Sequence, residues 1–297
     1  MRAILIADIH LTQKTPRMRN EVDFLGSQLE VLNRLFKIAE EKQCNIYCGG
    51  DVFDKWNDMS SDNITRVIQV FDSYPKIKFI TCLGNHDIPA GNLNQYSDKS
   101  LCYIVSRACQ NFQINNDFSW KSDGWIKFMN KSLAEDSYSP IECLHAAVGV
   151  DGTPGSEIVD DWDNCLETAP EIFIIGDQHE GWGVKEFRTK SGKLTYFINP
   201  GSFTKLKINE QNQRCDFCYA EKKNNQWHFD LSPLPWDEYK FNEPAVKLLE
   251  LVEKTEVKVD DLVFGQELIE NVAQKTQCSI PAKLRLLNLV KDFQLGT

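Results

Sequence analysis

Three apolar runs in the first 90 residues stop on the same kinds of side chain. "RAILIAD" ends at Asp8, "NIYCGGD" at Asp51, and "FITCLGNHD" at Asn85, His86 and Asp87. Between them lie two amphipathic stretches. In "SQLEVLNRLFKIAEEKQ", residues Leu29, Leu32, Leu35, Phe36 and Ala39 recur at helical spacing, and "SDNITRVIQVFDSY" offers Asp62 as a cap. Short apolar runs alternating with helical segments predict a βαβαβ unit of parallel strands joined by right-handed crossovers. Parallel strands end at one edge of their sheet. The polar residues therefore collect at that edge, where open α/β sheets place their sites.

The same pattern returns later in the chain. "IECLH" runs into His145, and "EIFIIGDQH" runs into Asp177 and His179. A short helix is expected near Ile158 to Leu166, an aromatic hairpin within 111–140, and a further strand in "LTYFINPGS". "CDFCYAEKK" and "WHFDLSPL", separated by "NNQ", read as a hairpin that closes the main domain. From Asp237 the pattern turns helical. The expected organisation is a domain over 1–236 and a helical C-terminal appendage over 237–297.

Four of the five histidines, His10, His86, His145 and His179, fall among these strand ends. Any one Asp or His has a plain explanation as a cap, a turn residue or a satisfied core histidine. The whole set has none. Two divalent cations about 3.5 to 4 Å apart need a carboxylate between them and a mixed oxygen and nitrogen shell around each. Asp51 is the natural bridge. Asn85 offers a neutral carbonyl oxygen, and the histidines offer imidazoles suited to Mn, Fe or Zn.

"DIH", "GGDVFD", "GNHD", a lone His at a strand end and "GDQH" together resemble the five motifs of the calcineurin-like metallophosphoesterases. The resemblance runs from Met1 to about Leu234. It implies an α/β fold, a two-sheet β-sandwich flanked by helices in four αββα layers, with two metals at the strand ends. It would place Asp8, His10, Asp51 and His179 on one metal, and Asp51, Asn85, His145 and Asp177 on the other. His86 would contact the scissile phosphate and protonate the leaving oxygen, with Asp87 orienting its imidazole. A metal-bridging hydroxide would be the nucleophile.

The last motif departs from the family pattern, which usually has His where this chain has Asp177. An oxygen ligand there favours Mn or Mg over Zn. A weakened second site is the open alternative.

Within the family, "ADIHL", the long first helix with its basic lead-in (Lys14, Arg17, Arg19), "GDVFDKW" and "NPGSF" look most like the SbcD-type DNA-repair nucleases and their phage relatives. That implies phosphodiester hydrolysis in DNA with Mn as the expected metal. The net charge of -10 argues against indiscriminate attraction to nucleic acid. Between Lys185 and Lys223, however, nine basic residues stand against four acidic ones. That segment is expected to rim the site, with Arg17, Arg19, Lys205 and Lys207 touching substrate phosphates; Trp182 and Phe203 could stack on bases, with a core role for both as the plainer reading.

The resemblance further implies an SbcC-like ATPase subunit docking on the C-terminal helices, and the sequence leaves a homodimer open. Two rival readings share the fold: a phosphatase or small-molecule or cyclic-nucleotide phosphodiesterase, and a non-catalytic partner-binding scaffold.

No apolar run reaches the roughly 18 to 20 residues of a membrane helix. The start, "MRAILIADIH", lacks a secretory signal pattern. A cytoplasmic protein of a bacterial or phage-infected cell is expected, with its ten cysteines reduced. The one Cys-x-x-Cys, Cys215 to Cys218, has no second pair and alternates like a strand.

Overall fold

The computed structural model describes residues 1–16, 19–89, 99–115, 140–146, 148–149, 157–158, 170–206 and 215–236. Chain contacts divide it into two units. The first comprises Met1–Lys14, Asp23–Lys205 and Asn212–Trp236, and the second Thr15–Val22, Leu206–Gln211 and Asp237–Thr297.

In the first unit, β1 (Arg2–Ile6), β2 (Asn45–Cys48), β3 (Phe79–Thr81) and β4 (Phe112–Ile114) pair in parallel. The crossovers are α1 (Phe24–Lys42), α2 (Ser61–Asp72) and α3 (Leu101–Ala108). Helix α1 starts three residues before the expected stretch, because the Asp23 side chain accepts from Gly26 N at 2.9 Å and caps it there. Ser60, rather than Asp62, caps α2; Asp62 lies in the first turn, where a carboxylate favours the helix dipole. The helices bury an aromatic layer against the sheet. Phe71 meets Phe36, Phe79 and Phe112 edge-on at centroid distances of 5.5, 5.1 and 5.0 Å. Each such pair contributes about 0.5–1.5 kcal/mol beyond its buried area.

A second sheet contains β5 (Ile141–His145), β8 (Ile172–Gly176), β9 (Gly183–Arg188) and β10 (Leu194–Asn199) in the order β5-β8-β10-β9. Strands β5, β8 and β10 are parallel, and edge strand β9 is antiparallel. Two short strands, β6 (Val148–Gly149) and β7 (Glu157–Ile158), pair separately. The strand at Ile158 replaces the start of the helix expected there; 159–169 fall outside the described residues. The hairpin of β11 (Asp216–Lys223) and β12 (Gln226–Pro233) forms as expected and joins the first sheet, which reads β12-β11-β1-β2-β3-β4.

The two sheets face each other. Ala3, Leu5, Cys82 and Cys218 of the first share one buried cluster with Cys143, Ile172, Ile174 and Ile198 of the second. The expected mixed α/β fold with two sheets flanked by helices is the fold observed. The eight described cysteines are buried and outside any disulfide. No helix among the described residues is long and apolar enough to cross a membrane.

The expected appendage over 237–297, and with it the proposed ATPase-docking helices, lies outside the described residues, as do 116–139. Within the second unit, Arg19 N donates to Pro16 O at 2.8 Å and Thr15 Oγ1 to Glu21 O at 3.1 Å.

Candidate metal centre

Strands β1, β2, β5 and β8 deliver their polar termini to one edge of the sandwich. The loops leaving them are laced together by backbone hydrogen bonds: Asp8 N to Gly50 O at 3.2 Å, His10 N to Asp51 O at 2.9 Å, and Leu11 N to Val52 O at 2.8 Å. That lacing holds Asp8, His10 and Asp51 at φ values of 50°, 50° and 49°, and Asp177 adopts 82°. Positive φ is uncommon outside glycine and concentrates where the surroundings over-determine the backbone, as at functional sites. Two glycines allow the close approach. A Cβ on Gly84 would stand 2.0 Å from Asp51 Oδ1, and one on Gly176 would stand 2.1 Å from the Gly49 carbonyl oxygen.

The seven expected ligands meet here. His10 Nε2 and His179 Nε2 are 3.1 Å apart, and His145 Nε2 lies 2.9 Å from Asn85 Oδ1, 3.3 Å from Asp51 Oδ2 and 3.8 Å from Asp177 Oδ1. Asp51 Oδ2 also comes within 3.8 Å of His10 Nε2, so Asp51 touches both halves of the set. Two trios, Asp8 with His10 and His179, and Asp8 with Asp51 and His145, each bring their ligand atoms within 4.8 Å of one another. A third trio joins His10, Asp54 and His86.

The donor chemistry fits cations. Asp8 is fully buried. Its Oδ1 accepts from Asp177 N at 2.9 Å, while its Oδ2 and His10 Nδ1 are buried without a hydrogen-bond partner. His145 Nδ1 lies 2.9 Å from the Gly49 carbonyl, which can only accept, so Nδ1 carries the hydrogen and Nε2 is left facing the oxygens of Asn85 and Asp51. A positive charge at Nε2 relieves that arrangement. Burial works against the His145 imidazolium, yet the Asp51 carboxylate outweighs it and raises the pKa to about 10. Burial raises Asp8 to about 6 and lowers His10 to about 3. For Asp51 burial acts upward, but the His145 charge and hydrogen bond win and its pKa falls. The field that favours a proton on His145 would also favour a dication among the carboxylates.

His86 is exposed beside these groups. Its Nδ1 lies 2.6 Å from the Asp54 carbonyl oxygen, which fixes the hydrogen on Nδ1 and leaves Nε2 as the atom that can exchange a proton with a ligand. Here the expectation for Asp87 is corrected. Its carboxylate is buried and accepts from Val52 N (3.2 Å), Phe53 N (3.0 Å) and Gly84 N (3.0 Å), so it braces the loops of Asp51 and Asn85 rather than orienting His86. Three backbone donors, one from its own turn and two from the loop after β2, take up the carboxylate. Asp54 is the residue at His86, and its place in "GGDVFD" was the signal for it.

Two further supports were missed. Gln28 is fully buried on α1: its Nε2 donates to His10 O at 2.9 Å and Thr204 Oγ1 at 3.2 Å, and its Oε1 accepts from Thr12 N at 3.1 Å. A glutamine on an otherwise apolar helix stripe was its visible sign. The "NPGSF" loop is the other. Ser202 N donates to His179 O and Ser202 Oγ to Asp8 O, each at 3.0 Å, and Asn199 Nδ2 donates to Gln178 O at 3.0 Å.

Of the expected phosphate-binding residues, Lys205 is buried at the end of that loop, and Arg19, in the second unit, is ion-paired with Glu21. Arg17 and Lys207 fall outside the described residues. The basic segment divides. Strand β9 leaves the metal edge at Gly183, which pairs with Asn199, and ends at Arg188, which pairs with Leu194. Arg188 and Lys193 are thus roughly 17 Å along the strands from the centre, at the other end of the sheet. Lys222 and Lys223 lie past Arg2, also at that far end. Phe203 is fully buried against Trp236, a core role rather than a stacking one.

The family model of the calcineurin-like phosphoesterases matches residues 1–265. Among solved structures, the chain is similar to the protein TT1561 of Thermus thermophilus, with 9% identity over 77% of this chain and 98% of that one and a TM-score of 0.48. It is similar also to a conserved uncharacterized protein, a predicted phosphoesterase, from Streptococcus pneumoniae, with 12% identity over 80% of this chain and 92% of that one and a TM-score of 0.35. No curated protein matches the chain. With five motifs in order, a cluster of oxygen and imidazole donors at the strand ends and a family match over most of its length, the chain belongs to the calcineurin-like phosphoesterase family of metal-dependent phosphoesterases.

Proposed function

We propose that the chain hydrolyses phosphodiester bonds in DNA, as an SbcD-type nuclease, with manganese as its working metal. The observation that carries the phosphoester chemistry is the exposed His86 imidazole, fixed through Nδ1 to the Asp54 carbonyl, beside seven converging ligand side chains. The likeness of "DIHL", "GDVFDKW" and "NPGSF" to that nuclease group supports the DNA substrate.

Asp8, His10, Asp51 and His179 would hold one divalent cation, and Asp51, Asn85, His145 and Asp177 the other. Bound there, the cations supply an acidified water and neutralise phosphoryl charge. The oxygen of Asp177, in place of an imidazole, supports manganese. The chain's own residues do the rest. His86, exposed and with Nδ1 taken by the Asp54 carbonyl, transfers the proton to the leaving oxygen through Nε2, worth about 10²- to 10⁴-fold in rate. Asp54 holds the tautomer. Asp87, Gln28 and the "NPGSF" loop keep the ligand-bearing loops in register.

The test is cleavage of end-labelled linear duplex and single-stranded DNA by the full chain with manganese, beside small phosphomonoesters and cyclic nucleotides. Metal-dependent DNA cleavage is expected, and its fragments separate exonuclease from endonuclease action. Turnover confined to small esters, in protein shown to hold its metals, would overturn the nuclease reading and leave a phosphatase or small-molecule phosphodiesterase.

A further inference from the structure

We infer that Trp182 is a substrate-positioning residue that stacks on the nucleobase beside the scissile phosphate; this rests on the DNA reading above. Trp182 follows His179 by three residues, so its Cα lies within about 11 Å of that ligand's. The indole is half-buried. Its Nε1 donates at 3.2 Å to Oε1 of Gln178, the residue between the expected ligands Asp177 and His179. The ring is therefore tied through one side chain to the segment that carries the metal-binding groups.

Its backbone is equally constrained. A Cβ on Gly181 would come within 2.7 Å of Gly201 N and of the Pro200 carbonyl carbon, so only glycine lets this turn pack on the "NPGSF" loop, and Gly183 on the other side has φ of 84°. Other tryptophans are used differently. Trp227 lies under the Lys222 ammonium and stacks on Phe229 at 6.3 Å, and Trp236 packs on Phe203 at 6.1 Å. Among the described residues, no ring or cation covers the faces of Trp182. A partly exposed indole, hydrogen-bonded to the segment that carries two expected ligands and free of ring or cation contacts among the described residues, suits the platform on which bases stack without sequence preference, an interaction that costs roughly 5- to 150-fold when the aromatic is lost.

The test uses the full chain with manganese on short single-stranded oligonucleotides carrying one abasic residue at each position in turn. In the wild type, removing the base beside the cleaved bond is expected to raise KM about fivefold or more with little change in kcat. Trp182→Ala should show the raised KM on the intact oligonucleotide and no further loss on the abasic one, with unchanged metal content, and Trp182→Phe should retain most of the wild-type KM. The same intact-to-abasic ratio in wild type and Trp182→Ala would overturn the inference. Should the wild type leave DNA intact but hydrolyse the p-nitrophenyl ester of thymidine 5′-phosphate, the nuclease reading fails alone. The effect of Trp182→Ala on that ester, against methyl p-nitrophenyl phosphate, then decides the stacking role: a loss confined to the thymidine ester upholds it, and an equal effect on both overturns it. A wild type active on base-free esters alone overturns both.

Discussion

The two ends of the sandwich each gather charged side chains, and they settle them differently. At the far end, Glu171 accepts from Lys222 Nζ at 2.7 Å on both carboxylate oxygens and from Trp227 Nε1, and Lys222 lies over the Trp227 ring at 5.8 Å. A cleft of about 600 Å³ opens there, lined also by Glu186, Arg188, Lys193 and Tyr196. Its central groups answer one another, and the Lys222 ammonium holds the Glu171 carboxyl below its ordinary range despite partial burial. At the metal edge the balance does not close: Asp8 Oδ2 and His10 Nδ1 are buried without partners, and four non-glycine residues sit at positive φ. A charge cluster that satisfies itself is part of the fold, whereas one that leaves donors over is built for something the chain does not contain.

The comparison can be broken at either end. Asp51→Asn should have the largest effect, since it removes the carboxylate that reaches both His10 and His145; activity falls to background and bound metal drops, read by turnover and metal analysis. Retained activity would remove Asp51 from the centre. His86→Ala should cost about 10²- to 10⁴-fold in kcat with metal content intact, because it deletes a proton donor and leaves the ligand set whole. Asp87→Asn places an amide where three backbone N–H groups need an acceptor, and should lower metal affinity about 10- to 100-fold, as losses of supporting partners around metal ligands do. At the far end, Glu171→Gln should leave kcat and metal content unchanged and cost about 1 kcal/mol of stability in a urea titration, modest because the pair is partly solvated. A fall in activity there would mean that the two ends are coupled.

How much of this could be read from the chain follows from where the information sits. The candidate ligands are legible because each is a polar residue at or just after the end of an apolar run, and strand direction alone carries them to one edge. The direction in which Asp87 faces is a property of the turn, which depends on amides contributed by Val52 and Phe53 some 35 residues away in sequence. The basic segment misled for a related reason: a charge count does not know that β9 runs away from the metals. Strand β9 and helix α3 were missed because neither carries a long periodic pattern, and Gln28 because one polar residue hardly disturbs an apolar stripe.

The candidate ligand set is divided between the layers. Asp8, His10, Asp51 and Asn85 follow strands of the six-stranded sheet, His145, Asp177 and His179 strands of the four-stranded one, and at that edge the glycine backbones of residues 49 and 176 come close enough to exclude a side chain. A dication held there is a reversible cross-link between two halves of the molecule. Free metal around the protein would then add to the cohesion that the buried core already gives the two sheets, and cohesion and catalysis would rise together.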